Sequence, residues 1–111
     1  YLDGARSYRL RVPLPVPAGL FWSLTVYDAE TRSQIDTAQG AAAVRSLFEL
    51  DGKLDGNHVD IGFGPQEPAG DTAAWVQTLP GRGWFVYFRI YGPTAAAFDG
   101  SWTLNDITLN T

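Results

Sequence analysis

Hydrophobic and polar residues alternate with a period of two along most of the chain, and helical periodicity is nearly absent. Such alternation predicts β-strands with one face in a core and the other in solvent. In residues 7–12, for example, Tyr8 and Leu10 share one parity, whereas Arg9 and Arg11 share the other. The pattern predicts strands over residues 7–12, 20–28, 58–63, 75–79 and 84–91, and a further strand within residues 102–109.

Two of these segments depart from simple alternation. Residues 84–91 are apolar or aromatic on both faces except for Arg89, which is typical of a central strand. In the last segment the hydrophobic residues change parity between Leu104 and Ile107. This change predicts a β-bulge near residues 105–106.

Glycine and proline separate the predicted strands, as in Asp51-Gly52 and Pro80-Gly81. Two segments are compatible with short helices. Residues 41–50 favour a helix but could equally contain a strand over 44–50, and residues 94–98 could form one turn with Thr94 as N-cap. The chain is therefore predicted to be all-β: a single domain over residues 1–111, an antiparallel β-sandwich or jelly-roll-like fold with one or two short helical turns.

The composition excludes several classes of protein. A chain of 111 residues without cysteine has no disulfide, no thiolate zinc site and no cysteine nucleophile. The net charge is −4 and no basic cluster is present, which argues against a nucleic-acid partner. The sixteen uncharged residues 12–27 are too few for a transmembrane segment and contain Pro13, Pro15 and Pro17.

The first residue is Tyr1, and the chain contains no methionine. We therefore expect that residues precede Tyr1 in the native protein, so that the sequence does not distinguish a cytoplasmic from an exported protein. One lysine against seven arginines is typical of a GC-rich bacterial genome.

Motifs for metals and catalysis are weak. Residues 51–60 resemble a calcium-binding loop only in part, because the bidentate glutamate is missing, and a hairpin turn is the favoured interpretation. His58 is the single histidine and shares a strand face with Asp60. The two could share a ligand or a proton, although the alternation favours the solvent side of a strand. No catalytic residue, metal site or cofactor is predicted.

Arg89 is the most unusual polar residue. A guanidinium on a central strand must find a carboxylate, carbonyls or aromatic faces, or point out of the sheet. Asp28 and Asp60 lie at the ends of other predicted strands, and a structural buried pair is favoured over an anion-binding arginine. The four Trp, five Tyr and six Phe favour core packing over a ligand-stacking platform.

Four ordered sequence blocks resemble the DUF1214 family. They are FWSLTVYD at residues 21–28, GFGP at 62–65 with PAG at 68–70, FRIYGP at 88–93, and WTLNDI at 102–107. The resemblance implies a β-sandwich or jelly-roll-like domain, often C-terminal to a DUF1254 domain. It implies no settled activity.

Two functional hypotheses follow, and neither requires a cofactor. The first is a non-catalytic structural or interaction domain, with a DUF1254-type domain or a second copy of itself as partner. The alternative is an enzyme or small-ligand domain with a polar cleft, or a domain that shapes access to an active site elsewhere. Whether the chain is an enzyme stays open, with the non-catalytic hypothesis favoured. The polar residues within or beside the matching blocks are the candidate ligand-binding residues: Tyr27, Asp28, Arg32, Arg89 and Tyr91.

Overall fold

The computed structural model describes residues 2–40, 42–54, 56–67 and 72–109. Within these residues the chain forms eight β-strands and one short 3₁₀ turn. The strands are β1 (Leu2–Asp3), β2 (Tyr8–Pro13), β3 (Ala18–Asp28), β4 (Ala43–Arg45), β5 (His58–Gly64), β6 (Ala74–Gln77), β7 (Gly83–Pro93) and β8 (Thr108–Leu109). No helix in this part of the chain is long and apolar enough to cross a membrane. The all-β prediction is confirmed.

The strands form two four-stranded sheets. Sheet A has the order β1-β7-β3-β4, and sheet B has the order β6-β5-β2-β8. Neighbouring strands are antiparallel except β5 and β6, which run parallel. The predicted two-sheet architecture is thus confirmed, with one parallel pair as a departure among the described strands. β7 lies between β1 and β3, so its predicted central position is also correct.

The core lies between the two sheets. It contains the hydrophobic side chains that the alternation predicts to point inward from each strand. Trp84 of β7 is fully buried, and its ring contacts Tyr8 and Phe63 of sheet B at centroid distances of 5.5 and 4.9 Å. Other buried apolar side chains on the strands are Leu10, Val12, Trp22, Leu24, Val26, Val44, Val59, Ile61 and Val76. Because both sheets bury one face here, the opposite parity of each strand is left to form the outer faces.

Residues 41–50 differ from both predicted structures. β4 is only three residues long, and turns follow it instead of a helix or a longer strand. Glu49 closes the turn: its carboxylate accepts the backbone N–H of Arg45 at 2.9 Å and pairs with the Arg45 guanidinium at 2.8 Å. The backbone donor of Arg45 is thus satisfied from within the turn that follows β4. Ala41 lies outside the described residues.

The predicted short turn over residues 94–98 is confirmed as the 3₁₀ turn Ala95–Ala97. Thr94 is the N-cap residue, as predicted: it is extended and its carbonyl accepts the N–H of Ala97 at 3.0 Å, although its side chain makes no capping hydrogen bond.

The final predicted strand is confined to β8, and the predicted bulge near residues 105–106 is wrong because those residues are not in a strand. Before β8, side chains hold residues 102–105 against β2. Trp102 Nε1 donates to the carbonyl of Pro13, and Asn105 Nδ2 donates to the carbonyl of Arg11, both at 2.9 Å. The change of parity therefore reflects irregular backbone.

Candidate functional site

The outer face of sheet A carries four consecutive cross-strand pairs of β3 and β7. In order along the strands, the pairs are Phe21 with Tyr91, Ser23 with Arg89, Thr25 with Tyr87, and Tyr27 with Phe85. We call these eight residues the aromatic face. Six residue steps at about 3.3 Å each give the face a length of about 20 Å. Tyr87 is 52% exposed and Tyr91 is 38% exposed, so the β7 side of the face is open to solvent, whereas Ser23 and Thr25 of β3 are buried.

The rings on this face contact one another across the strand pair. Phe21 stacks on Tyr91 with a centroid distance of 4.2 Å, and Tyr27 stacks on Phe85 at 5.5 Å. Tyr87 meets Tyr27 edge to face at 5.0 Å. Directly opposed side chains on one face of an antiparallel pair lie close enough for such contacts, which order the rings before anything binds.

Arg89 lies on this outer face and forms no ion pair with a carboxylate in the described part of the chain; the predicted pairing with Asp28 or Asp60 is wrong, because these carboxylates pair with Arg82 and Arg11. Its Nη2 donates to the Tyr27 hydroxyl at 3.2 Å, and this hydrogen bond raises the pKa of the guanidinium. Its guanidinium carbon lies 5.3 Å from the centre of the Tyr87 ring. Aromatic rings therefore hold the cation, while the exposed guanidinium keeps donors for a ligand or partner.

Arg32 joins the aromatic face from the turn after β3. It adopts a positive φ of 60°, and its guanidinium carbon lies 5.7 Å from the centre of the Phe85 ring. The turn is built by Asp28, whose Oδ1 accepts the N–H of Glu30 at 2.8 Å and whose carbonyl accepts the N–H of Arg32 at 2.9 Å. Asp28 thus positions Arg32 through the backbone.

The Asp28 side chain lies away from the aromatic face, on the parity of the buried Trp84. Arg82 Nε donates to its Oδ2 at 2.9 Å, and Arg82 Nη2 lies 2.8 Å from the same oxygen in an ion pair. Hydrogen bonding by Arg82 holds the pKa of this carboxyl below its ordinary value. The structure therefore gathers Tyr27, Arg32, Arg89 and Tyr91 and leaves Asp28 in a separate structural ion pair.

Sequence reasoning did not include Phe21, Phe85 and Tyr87 among the candidate residues. The signal was available, because Phe21 has the parity of Tyr27, and both Phe85 and Tyr87 have the parity of Arg89. It was missed because residues 84–91, being apolar on both parities, were expected to be covered on both faces.

The outer face of sheet B has different chemistry. Arg11 of β2 lies opposite Asp60 of β5, and it donates from Nε and Nη2 to the two carboxylate oxygens at 2.9 and 3.0 Å. Asp60 is buried, and hydrogen bonding by Arg11 lowers its pKa. His58 is exposed beside them, in agreement with the solvent-side interpretation. The Asp60 carboxylate is thus engaged with arginine.

The described residues contain no group of three or more His, Asp or Glu side chains that could hold a metal ion. Of the partial calcium-loop match, Asp55 lies outside the described residues. The remaining positions include the turn at residues 51–52 and the first residues of β5.

Comparisons with known proteins bear on family and fold. The family model described as "Protein of unknown function (DUF1214)" matches residues 1–95 of the 111. A solved structure of the VPA0106 protein from Vibrio parahaemolyticus is similar with a TM-score of 0.75 and 17% sequence identity. The similarity covers 99% of this chain and 27% of that protein, so the chain spans about a quarter of its length. No curated protein matches the chain.

Proposed function

Because the chain belongs to the DUF1214 family, whose function is unknown, we propose a function from the geometry: a non-catalytic interaction domain that docks through the aromatic face onto another domain of a longer protein. The observation that supports this proposal is the outer face of β3 and β7. It presents five aromatic rings and one cation to solvent on a sheet whose other face already forms the core.

The composition of the aromatic face is that of an interface. Outward positions of a sandwich strand are ordinarily polar, whereas tyrosine, phenylalanine and arginine are enriched where proteins meet. Tyrosine also orders at low entropic cost, and these rings are already in mutual contact. A partner would therefore meet a surface that needs little rearrangement before docking.

Charge favours a partner domain over a second copy of this chain. The eight positions of the aromatic face contain no carboxylate, while Arg89 lies within it and Arg32 beside it. A two-fold contact through this face would place Arg89 of both copies in one interface whose own eight positions supply no carboxylate. A partner surface with carboxylates among apolar side chains complements it. A longer polypeptide is a natural source of such a surface, since the matched region is 27% of the similar Vibrio protein.

Oxidative footprinting tests this proposal in the protein encoded by the complete gene. We expect slow labelling of Tyr87 and Tyr91 in the wild type, and labelling several-fold faster in the Arg89→Glu variant, which repels carboxylates on the partner. Arg89→Lys keeps the positive charge and is expected to preserve most of the protection. His58, exposed on the opposite sheet, serves as the internal reference.

Two results contradict the proposal. One is fast labelling of both tyrosines in the wild type with no change in Arg89→Glu. The other is a complete gene that encodes this domain alone, whether the product sediments as a monomer or as a dimer that buries the aromatic face.

The alternative, a ligand cleft built around Arg89, Asp28 and the tyrosines, requires side chains that the fold separates. Asp28 pairs with Arg82 on the inner parity of β3, while Arg89 and Tyr27 point outward. Because no observation brings the carboxylate to the aromatic face, the docking function is the better supported.

A further inference from the structure

A second feature of the molecule lies on the opposite side of the sandwich. It is a recess of about 390 Å³ on the outer face of sheet B. Its charged or titratable lining residues are Arg9, Arg11, Lys53, His58 and Asp60, and we call it the basic recess. It shares no lining residue with the aromatic face.

Strand register assembles the basic recess. β2 and β5 pair so that Arg11 lies opposite Asp60 and Pro13 lies opposite His58. Arg9 precedes Arg11 on the same parity, so the two guanidinium groups lie side by side on the outer face. Lys53 lies in the loop before β5, where its Nζ donates to the carbonyl of Ala73 at 2.8 Å.

The charges of the recess do not balance. Among the described residues, its lining contributes three permanent cations, from Arg9, Arg11 and Lys53, and one carboxylate, from Asp60, which leaves a net charge of +2. Arg11 occupies both oxygens of Asp60, while Arg9 Nη1 is 4.0 Å from the nearer of them. In a chain of net charge −4, this is a local concentration of positive charge.

Hydrogen-bond donors in the recess are also unused. Arg9 Nε is buried, and no acceptor within the described residues bonds to it, although the side chain as a whole is 42% exposed. Lys53 donates one of its three N–H groups to Ala73, and its Nζ makes no other hydrogen bond to the described residues. A buried donor without an acceptor costs free energy, which an incoming acceptor would recover.

We propose that the basic recess binds a small dianion, a phosphate group or a dicarboxylate, through Arg9 and Lys53. Both anion types offer several oxygen acceptors and the two negative charges that the recess lacks. Arg11, held in place by Asp60, adds a third positive charge beside the bound oxygens. The basic recess, with a volume of about 390 Å³, suits a phosphate or a short diacid with a small organic group. Three cations on one short surface are too few for a nucleic-acid backbone.

Titration at constant ionic strength tests the proposal, with inorganic phosphate in one arm and malonate in the other. Calorimetry gives the Kd, and NMR of the arginine Nε–H groups reports the site. We expect saturable binding that shifts the Arg9 signal. Tighter binding of phosphate or of malonate identifies the class of dianion that the recess prefers. Saturable binding of both anions with equal Kd means that the recess recognises the two negative charges alone.

Variants decide whether the site is specific. Arg9→Gln and Lys53→Gln are each expected to weaken binding about tenfold, the usual effect of losing one charge-assisted contact. Arg89→Gln removes the same charge from the opposite face and is expected to leave Kd unchanged. If Arg9→Gln does not fold, the exposed Lys53→Gln alone makes the test. Equal weakening by Lys53→Gln and Arg89→Gln, or no saturable binding of either anion, would overturn the proposal.

Discussion

The two outer faces of this sandwich are built on the same antiparallel geometry but carry opposite chemistry. On sheet A, β3 and β7 present stacked rings around Arg89. On sheet B, β2 and β5 present an ion pair between Arg11 and Asp60, with Arg9 beside it. Both pairs of strands bury aliphatic and aromatic side chains on their inner parity.

The difference shows that core formation constrains only one parity of each strand. The inner parity must be apolar, because its side chains leave water. The outer parity is free to vary, so its composition carries information about what the face meets. Charged residues are the ordinary choice for an outer face, and rings in mutual contact are not, which makes sheet A the informative face.

The largest difference between the inner and outer faces is expected when one aromatic residue on each face of β7 is replaced by alanine and the free energies of unfolding are compared. Trp84→Ala removes a fully buried ring and is expected to lower the free energy of unfolding by about 3–5 kcal/mol. Tyr87→Ala removes a ring that is 52% exposed and is expected to cost less than about 1.5 kcal/mol. Urea unfolding measures both variants. Equal losses would mean that the aromatic face is part of the core.

A smaller effect is expected from the carboxylate of sheet B. Asp60→Asn keeps the shape of the side chain but weakens its two hydrogen bonds with Arg11, at a cost of about 1–2 kcal/mol. The matched control is Asp106→Asn, which removes an exposed carboxylate and is expected to change stability little.

Acid unfolding sharpens the same point. Hydrogen bonding by Arg11 lowers the pKa of Asp60 below its ordinary value of 3.8 in the folded protein. Asp60 therefore contributes its full stabilisation above that value and loses it as the pH falls through the lower, folded-state pKa. We expect a weaker fall in stability below pH 3.8 for Asp60→Asn than for the wild type, measured by urea unfolding at each pH. Identical pH profiles would show that the pair adds nothing to stability.

The smallest effect is expected at Arg89. Arg89→Gln breaks one exposed hydrogen bond with Tyr27 and is expected to change the Tm by less than about 3 °C. Arg11→Gln should lower the Tm more, because it removes both hydrogen bonds to the buried Asp60 carboxylate, from which Arg9 Nη1 is 4.0 Å away. Calorimetry of both variants tests this order. A larger loss for Arg89→Gln would mean that Arg89 serves stability more than docking.

Much of the fold was predictable because it depends on local alternation. β2, β3, β5 and β7 begin and end within two residues of the predicted strands. Prediction failed where a specific long-range or side-chain contact decides the backbone. Glu49 bonds to Arg45 in the turn after β4, and Trp102 bonds to the carbonyl of Pro13 ahead of β8. Neither contact has a periodic signal.

The candidate site was less predictable than the fold. Four of the five candidate residues lie on or beside the aromatic face, but the partners of the charges could not be read from one strand at a time. Asp28 pairs with Arg82 and Asp60 with Arg11, while Arg89 pairs with neither.

The sequence by itself determined the inner and outer parity of the main strands, because side chains alternate strictly along an extended backbone and one apolar set must leave water. Only the tertiary structure decided which strands are neighbours, and hence that Arg11 meets Asp60 while Arg89 meets Tyr27. That choice depends on the register between distant parts of the chain: Arg11 and Asp60 are 49 residues apart, and Tyr27 and Arg89 are 62 residues apart. Register is selected by the packing of all the apolar faces together, which no single segment encodes.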